Sequence, residues 1–240
     1  RPSNHYHMGG IAANEFGEVV DTTRQPIAGL YAIGECAAAS FHGFNRLGTN
    51  SILELITMGK IAAERALDHI RREPAAFTDT APSRFMERFS HYREATGKDS
   101  LGRIRDAMRN LMTEKLSVFR TEAGITAAIE SLQELKERAD RTALSSRGWA
   151  MNQELVERWE LDNLLAVCLV ICEGALRRRE SRGAHYRDDY PERKDEFNHH
   201  TVATMPLFGE VKLERREVDM SIFNAGGAHH DKFAVIERKY

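Results

Sequence analysis

The sequence predicts a mixed, mainly helical fold in three parts: a strand-loop-helix unit, an antiparallel helical bundle and a short irregular segment with β-strands. Three observations lead to this prediction. Glycine-bounded apolar stretches occupy the start of the chain, long runs with helical spacing of apolar residues fill its middle, and the end is polar with short alternating stretches. We place the three parts at residues 1–73, 82–185 and 186–240.

Composition narrows the class of protein. The chain has 240 residues, enough for one large or two modest domains with real cores. Its 42% hydrophobic and 29% charged residues are typical of a globular protein, and a net charge of -2 gives no reason to expect nucleic acid as a partner. No apolar run reaches the roughly 20 residues that a membrane helix needs.

Cysteine usage points to a reducing compartment. The three cysteines, Cys36, Cys168 and Cys172, do not make a disulfide framework. Cys168 and Cys172 lie one helical turn apart in an apolar run, so we predict buried core thiols rather than metal ligands. The pairs His199-His200 and His229-His230 have no third ligand at metal spacing and are predicted in solvated loops. We therefore expect no metal site.

The first part is predicted to contain short strands and one long helix. Residues 9–35 alternate strands with turns, and "GLYAIGE" indicates a buried strand over 30–33 bounded by glycines. A helix is predicted over 50–72, where the cap-forming residues Thr49, Asn50 and Ser51 precede apolar residues at helical spacing. These apolar positions include Ile52, Leu55, Ile56, Gly59 and Ala63.

The remaining helices follow a break in the pattern. The segment "RREPAAFTDTAPS", with Pro74 and Pro82, is the predicted boundary. Helical stretches follow at about 83–114, interrupted near Gly97, and then at 121–140 and 152–181, which would pack as an antiparallel bundle. Beyond Gly183 the chain turns polar, and "TVATM" and "VKLERREVDM" indicate two short strands.

The loop "HGFNRLGTNS" before the first long helix places Arg46 in an unusual setting. The first N–H groups of a helix have no internal partners and carry the positive end of the helix dipole. Gly43 and Gly48 allow the loop to approach a ligand closely. This combination predicts an anion or carbonyl site beside Arg46. A surface arginine before an ordinary capped helix explains this stretch alone equally well.

Glu35 ends the apolar strand "GLYAIGE", as a carboxylate does on the far side of a dinucleotide site, where it accepts sugar hydroxyls. The phosphate-binding G-x-G-x-x-G is absent, and "GFNRLG" has the wrong spacing. The chain opens "RPSNHYHMGG", with neither an initiator methionine nor a signal-peptide pattern. We therefore expect the chain to be the back part of a longer protein whose front holds most of any dinucleotide.

Four motifs, in order, carry a resemblance to a known family: "HYHMGGI", "GLYAIGE", "HGFNRLGTNSILEL" and "SRGAHYRDDYPERKDE". Together they resemble the carboxy-terminal part of the flavoprotein subunit of succinate dehydrogenase and fumarate reductase. The resemblance covers the whole chain. It implies that the first part is the end of an FAD-binding α/β domain and that the helical bundle is the C-terminal helical domain. It also implies hydride transfer with FAD that interconverts succinate and fumarate.

The resemblance also implies roles for five residues. His5 matches a histidine that holds a substrate carboxylate, and Arg46 matches the arginine that binds the dicarboxylate beside the flavin. Glu35 matches the acid that takes a ribityl hydroxyl of FAD. Ser51 and Ile52 match the helix-start positions whose backbone touches the isoalloxazine ring. His7 and His42 have no assigned role, and we expect structural roles for them in the loops.

Partners follow from the same resemblance. Electrons would pass to an iron–sulfur subunit and then, through a membrane anchor, to quinone. The subunit would lie peripherally at the cytoplasmic face of a prokaryotic membrane or at the equivalent matrix side. The proton-donating arginine, the flavin-linking histidine and the phosphate loop would lie upstream of residue 1. The chain alone is therefore expected to be inactive.

Two other functions remain open on the sequence. L-aspartate oxidase, a soluble flavoenzyme, has similar "HY" and "GLYAIGE" motifs. Met8, Gly48 and the long tail after "SRGAH" are closer to the succinate and fumarate enzymes. The second alternative is an inactive helical module that only binds a partner protein.

Overall fold

The computed structural model describes residues 5–72, 81–206 and 209–221, with the backbone alone for 81–84. The described residues form mainly helices, accompanied by small two-stranded sheets. This architecture confirms the predicted fold class. Among these residues, no helix is both long enough and apolar enough to cross a membrane.

The start of the chain forms two small sheets that pack beside one helix. Strand β1 (Ile11–Ala12) pairs in parallel with β4 (Ala37–Ala38), and β2 (Glu18–Val20) pairs antiparallel with β3 (Pro26–Tyr31). A 3-10 turn, Gly34–Cys36, connects β3 to β4. Gly10 permits the close approach of β1, because a Cβ there would collide with the carbonyl oxygen of Cys36.

The predicted buried strand is only partly correct. Strand β3 ends at Tyr31, and its apolar residues are exposed, with Leu30 at 48% and Ile27 at 43% of their maximum. Only Ala32, just after the strand, is buried. The reason is that side chains of a strand are buried by a layer packed on the face of its sheet, and the described residues leave Ile27 and Leu30 without one. An apolar sequence requires a cover that this part of the chain does not provide.

Helix α1 (Asn50–Arg72) has the predicted length, but its start differs from the prediction. Thr49 adopts a positive φ of 72°, and its hydroxyl donates to the Gly48 carbonyl instead of accepting from the helix. Ser51, Glu54 and Ala62 form the buried side of α1. Several large apolar residues of the same helix are exposed: Ile52, Leu53, Leu55, Ile56, Leu67 and Ile70.

The predicted boundary falls partly outside the described residues. Pro74 lies in 73–80, outside the structure described here. Pro82 does not break a helix, because it lies in the first turn of α2 (Ala81–Glu94). Proline is tolerated there, since the first N–H groups of a helix have no intrahelical partner.

Three further helices complete the predicted bundle: α3 (Leu101–Lys115), α4 (Glu122–Arg141) and α5 (Gln153–Arg177). Thr121 and Asn152 cap the last two by accepting hydrogen bonds from the Gly124 and Leu155 N–H groups. The predicted interruption near Gly97 is confirmed, since α2 ends at Glu94. The core of the bundle includes Ile104, Met108, Ile125, Leu132, Leu161 and Cys172.

The two bundle cysteines confirm the predicted core role. Cys172 is fully buried and Cys168 packs against the same core. Burial raises the pKa of Cys168 to about 11 and that of Cys172 to about 12, so both thiols stay protonated near neutral pH. These cysteines therefore contribute packing rather than reactivity.

Of the remaining strands, one lies between α3 and α4 and the others follow α5. Strand β5 (Phe119–Arg120) pairs in parallel with β6 (Tyr186–Arg187), and β7 (His199–Thr204) pairs antiparallel with β8 (Lys212–Glu217). The two predicted terminal strands are thus confirmed. The prediction of a solvated loop for His199-His200 is wrong, because both lie on β7, whereas His229-His230 lies outside the described residues.

The terminal hairpin β7–β8 contacts the start of the chain. His200 Nε2 lies 2.8 Å from Ser40 Oγ, and Arg24 donates to the Glu217 carbonyl at 3.3 Å. Arg177, at the end of α5, donates to the Leu213 carbonyl at 2.5 Å. The hairpin therefore joins the strand-loop-helix unit to the bundle.

Candidate functional site

The loop before α1 is open on the side of its glycines. Gly43 has a φ of 66°, a conformation that few other residues adopt without strain. A Cβ placed at Gly43 or at Gly48 would meet no atom within 4 Å. These glycines therefore face open space, and the helix N-terminus of α1 begins two residues after Gly48.

Arg46 lies on this loop and is held by two residues from the start of the chain. Its guanidinium carbon is 4.5 Å from the centroid of the Tyr6 ring, which places the cation over an aromatic face. Its Nη2 is 3.5 Å from Nδ1 of His5. The structure thus brings together the two residues predicted to hold a dicarboxylate, although they are 41 positions apart in the sequence.

His42 and Glu54 form a second pair of side chains, next to Tyr6. His42 Nε2 is 2.8 Å from Glu54 Oε2, and Glu54 is only 3% exposed. The His42 ring also packs edge-on against Tyr6, with 6.2 Å between the ring centroids. This contact gives His42 a place within the site instead of an isolated role in the loop.

Sequence reasoning missed Tyr6 and Glu54. The signal for Glu54 was its position three residues after Ser51, on the same face of α1, because residues three apart in a helix are neighbours. No spacing rule links Tyr6 to α1, since the contact is tertiary.

Two buried hydroxyls in the site lack partners. Tyr6 Oη and Ser51 Oγ are buried, and neither has a partner of good hydrogen-bonding geometry among the described residues. Burial raises the pKa of Tyr6, the Glu54 carboxylate adds to the rise, and the nearby Ser51 hydroxyl partly offsets it.

Glu35 lies on the 3-10 turn beside the same N-terminal segment. Its Oε1 accepts a hydrogen bond of 2.9 Å from the backbone N–H of His7. The bond uses the backbone of His7 and not its ring, so the structural role predicted for His7 stays a prediction. Glu35 itself is exposed, whereas Ser51 is 7% exposed and Ile52 is 65% exposed at the start of α1. The five predicted residues therefore belong to four segments: 5–7, the turn at Glu35, the loop that carries Arg46 and the start of α1.

The chemistry of this arrangement suits an anionic ligand beside a polar cofactor. Arg46 and the N-terminus of α1 supply positive charge, while Glu35 can accept hydroxyl hydrogens. Within residues 5–72, 81–206 and 209–221, no three His, Cys, Asp or Glu side chains gather into a metal-binding group.

Two family models match the chain. Residues 1–52 match the model described as FAD binding domain, which makes the chain part of a flavoprotein. Residues 105–240 match the model described as Fumarate reductase flavoprotein C-term, which is more than half of the chain. The chain therefore belongs to the family of succinate dehydrogenase and fumarate reductase flavoproteins, as the motifs predicted.

Curated relatives agree with this assignment. The chain is 36% identical over 229 residues to the succinate dehydrogenase flavoprotein subunit of Rickettsia bellii. It is 35% identical over 226 residues to the fumarate reductase flavoprotein subunit of Haemophilus influenzae. These alignments cover 92% of this chain but only 38% and 37% of the relatives.

Solved structures show the same fold. An E. coli quinol fumarate reductase flavoprotein matches with a TM-score of 0.82 at 33% identity, covering 91% of this chain and 37% of that one. Mycobacterium smegmatis Sdh1 in complex with UQ1 matches with a TM-score of 0.76 at 29% identity, covering 89% of this chain and 35% of that one. The family's fold thus extends over most of the chain.

Proposed function

We propose that this chain supplies the dicarboxylate-binding part of a flavoprotein subunit that interconverts succinate and fumarate. The observation that carries the proposal is the contact between Arg46 and His5 beside an open, glycine-lined helix start. The named relatives are succinate dehydrogenase and fumarate reductase subunits, which favours this function over an L-aspartate oxidase or an inactive interaction module.

Arg46 and His5 would hold the carboxylates of the substrate. The planar guanidinium of Arg46 can donate two parallel hydrogen bonds to one carboxylate, which fixes both the position and the orientation of the substrate. The Tyr6 ring under the guanidinium restricts its movement. Cations fixed in this way also stabilise negative charge that develops on the substrate during hydride transfer.

FAD fits the residues beside this pair. Glu35 would accept a ribityl hydroxyl, and the backbone at Ser51 and Ile52 would contact the isoalloxazine ring at the positive end of α1. When bound, FAD supplies the hydride chemistry that these side chains cannot perform.

Further partners would carry the electrons away. One matching structure is a quinol-fumarate reductase with menaquinol molecules, and another is Sdh1 in complex with UQ1. We propose an iron–sulfur subunit as the direct partner, with quinone and a membrane anchor beyond it. The subunit would lie peripherally at the cytoplasmic face of the membrane, or at the equivalent matrix side.

The proposed division of the chain follows these roles. Residues 1–73 would complete the FAD-binding domain, 82–185 would form the helical domain, and 186–240 would form the terminal segment. The contacts of β7 and β8 with Ser40, Arg24 and Arg177 support a bridging role for the terminal segment.

Substitution of Arg46 in the complete subunit tests the proposal. Arg46→Lys keeps the charge but loses the paired donors, so we expect kcat/KM for succinate and for fumarate to fall about ten- to hundredfold, equivalent to roughly 1.5–3 kcal/mol. Flavin content, measured by absorbance, should stay normal.

Arg65→Lys is the matched control. Arg65 also lies over an aromatic ring, with 3.9 Å between its guanidinium carbon and the centroid of Phe16, but it belongs to the middle of α1. We expect its kcat/KM to stay within about twofold of the wild-type value. Near-normal turnover of Arg46→Lys with intact flavin would remove Arg46 from the site and refute the proposal.

A further inference from the structure

The segment after α5 folds back onto the loop that carries Arg46. We call residues 181–185 the docking segment. Its Ala184 N–H donates a hydrogen bond of 3.0 Å to the carbonyl of Phe44, two residues before Arg46. The Phe44 ring lies 6.3 Å from the ring of His185, and the Arg178 guanidinium lies over it at 4.6 Å.

A buried cluster of charged side chains holds the docking segment in place. Arg178 and Glu180 are 2% and 0% exposed and are joined by a contact of 2.7 Å. Arg178 also donates to the carbonyls of Phe197 and His199 at 2.7 and 2.8 Å. Arg182 donates to Glu180 at 2.8 Å, so the segment has little freedom to move.

At Gly183 the docking segment lies so close to the loop that no side chain fits between them. A Cβ at Gly183 would lie 2.9 Å from both the carbonyl carbon and the Cβ of Phe44. Real Cβ atoms almost never come this close, so any other residue would force one of the two backbones to shift. Gly183 also has a φ of 57°, which disfavours side chains.

The backbone on each side of Arg46 is therefore fixed by a hydrogen bond. On one side the Phe44 carbonyl is bound to Ala184. On the other side the Leu47 carbonyl accepts from the Asn50 N–H at the start of α1. A shift of the Phe44 backbone is passed to the backbone of Arg46 across a single residue, Asn45, and so changes the point from which the Arg46 side chain extends.

We propose that Gly183 and Ala184 are positioning residues for the dicarboxylate site, acting through Phe44 on Arg46. The inference rests on the function proposed above for Arg46. It assigns a part in substrate binding to the helical side of the chain, which contributes none of the five residues predicted to touch substrate or FAD.

Gly183→Ala in the complete subunit is the main test. We expect the KM for succinate and the Kd of malonate, a dicarboxylate with a single methylene carbon, to rise at least fivefold. Calorimetry measures malonate binding without turnover. Flavin content should remain normal, because Gly183 contacts the loop and no residue assigned to FAD.

Gly29→Ala is the matched control for the backbone conformation. Gly29 has a φ of 75°, and a Cβ there would meet only the His69 ring, at 3.3 Å. It carries a similar backbone penalty without touching the Phe44 loop. We expect its malonate Kd to stay within about twofold of the wild-type value.

Phe44→Leu is the second variant, for use if Gly183→Ala does not fold. It removes the ring between Arg178 and His185 but keeps the backbone hydrogen bond, so we expect a rise in malonate Kd of at least threefold with normal flavin.

Three outcomes separate the proposals. A higher malonate Kd for Gly183→Ala or Phe44→Leu, with an unchanged value for Gly29→Ala, supports the positioning role. Wild-type malonate binding in both variants, while Arg46→Lys binds weakly, overturns the positioning role and leaves the proposed function intact. Wild-type binding in Arg46→Lys as well overturns both.

Discussion

His185 shows how strongly a single side chain depends on its surroundings in this fold. It is 5% exposed, and its Nδ1 accepts from Arg120 at 3.1 Å while its Nε2–H donates to the Arg178 carbonyl at 3.1 Å. The contact with Arg120 requires the neutral ring, because a protonated ring has no acceptor nitrogen, whereas the bond to the Arg178 carbonyl is possible in either state. Burial lowers the pKa of His185 to about 4; the bond to the Arg178 carbonyl opposes this decrease, and the charges of Arg120, Arg178 and Arg187 add to it.

This pKa predicts a pH dependence of stability. The unfolded chain binds a proton at His185 near pH 6.5, whereas the folded chain does so only near pH 4. The contribution is therefore complete above pH 6.5 and falls as pH decreases towards 4, by at most about 1.4 kcal/mol per pH unit.

We expect His185→Gln to flatten the stability curve of the complete subunit between pH 6.5 and 4. The measurement is denaturant unfolding of wild type and variant at several pH values. The difference between the two curves isolates His185 from the carboxylates that titrate in the same range. Two parallel curves would contradict the prediction.

Single residues were predictable to different extents. His5, Arg46, Glu35, Ser51 and Ile52 were found through motifs, and the structure gathers them at one helix start. Their individual roles stay predictions. Tyr6 and Phe44 could not be found, because their contacts with Arg46 and Gly183 depend on tertiary approach, which periodicity does not encode.

At the scale of elements, helix α5 combines an apolar core face with a buried ionic network. Arg158 and Asp162, one turn apart, are 1% and 2% exposed and in contact at 2.5 Å. Asp162 also accepts from Tyr92 at 2.5 Å and from Arg88 at 3.1 Å, both on α2. Burial disfavours the charged carboxylate, but Arg158, Tyr92 and Lys136 together outweigh this effect and lower the pKa of Asp162.

This network predicts a large effect of one substitution on stability. Asp162→Ala removes the buried partner of Arg158, and we expect a loss of about 3–5 kcal/mol in the free energy of unfolding. Glu160→Ala is the control on the same helix, because Glu160 is 53% exposed and pairs with Arg105 at 3.2 Å. Its expected cost is about 0–1 kcal/mol.

Denaturant unfolding of the complete subunit measures both variants. Similar losses in Asp162→Ala and Glu160→Ala would show that the network contributes no more than a surface ion pair.

The elements were predicted well where apolar spacing decides their form. Helices α1 to α5 follow from 3.6-residue periodicity and from the caps Thr121 and Asn152. The burial of β3 was not predicted correctly, because an apolar strand indicates a need for cover and does not say whether the neighbouring chain supplies it. Strands β1, β4, β5 and β6 are only two residues long, too short to give a pattern.

At the scale of the whole molecule, the helical bundle and the strand-loop-helix unit differ in how completely their apolar side chains are buried. The bundle has a continuous core with fully buried residues such as Ile104, Ile125 and Leu161. The strand-loop-helix unit exposes Ile52 at 65%, Ile56 at 69% and Ile70 at 66% on α1. Apolar side chains in such number are normally covered, either by another part of the same protein or by a partner.

We expect the chain of 240 residues, purified alone, not to retain FAD. The proposed site would supply contacts for the ring and the ribityl group, whereas a G-x-G-x-x-G for the pyrophosphate is absent from the sequence. Absorbance at flavin wavelengths after gel filtration measures retention, with the complete subunit as the control. A yellow chain with stoichiometric flavin would contradict this prediction.

The contacts of the docking segment and the terminal hairpin also determine when the loop that carries Arg46 is held in place during synthesis. Ser40 and His200 are 160 residues apart, and Arg24 and Glu217 are 193 apart. A ribosome therefore releases Arg46 long before the residues that restrain it, and such long-range contacts form slowly. A nascent chain stopped just after α5 would contain all five predicted site residues, but the loop that carries Arg46 would still lack its anchor at Ala184.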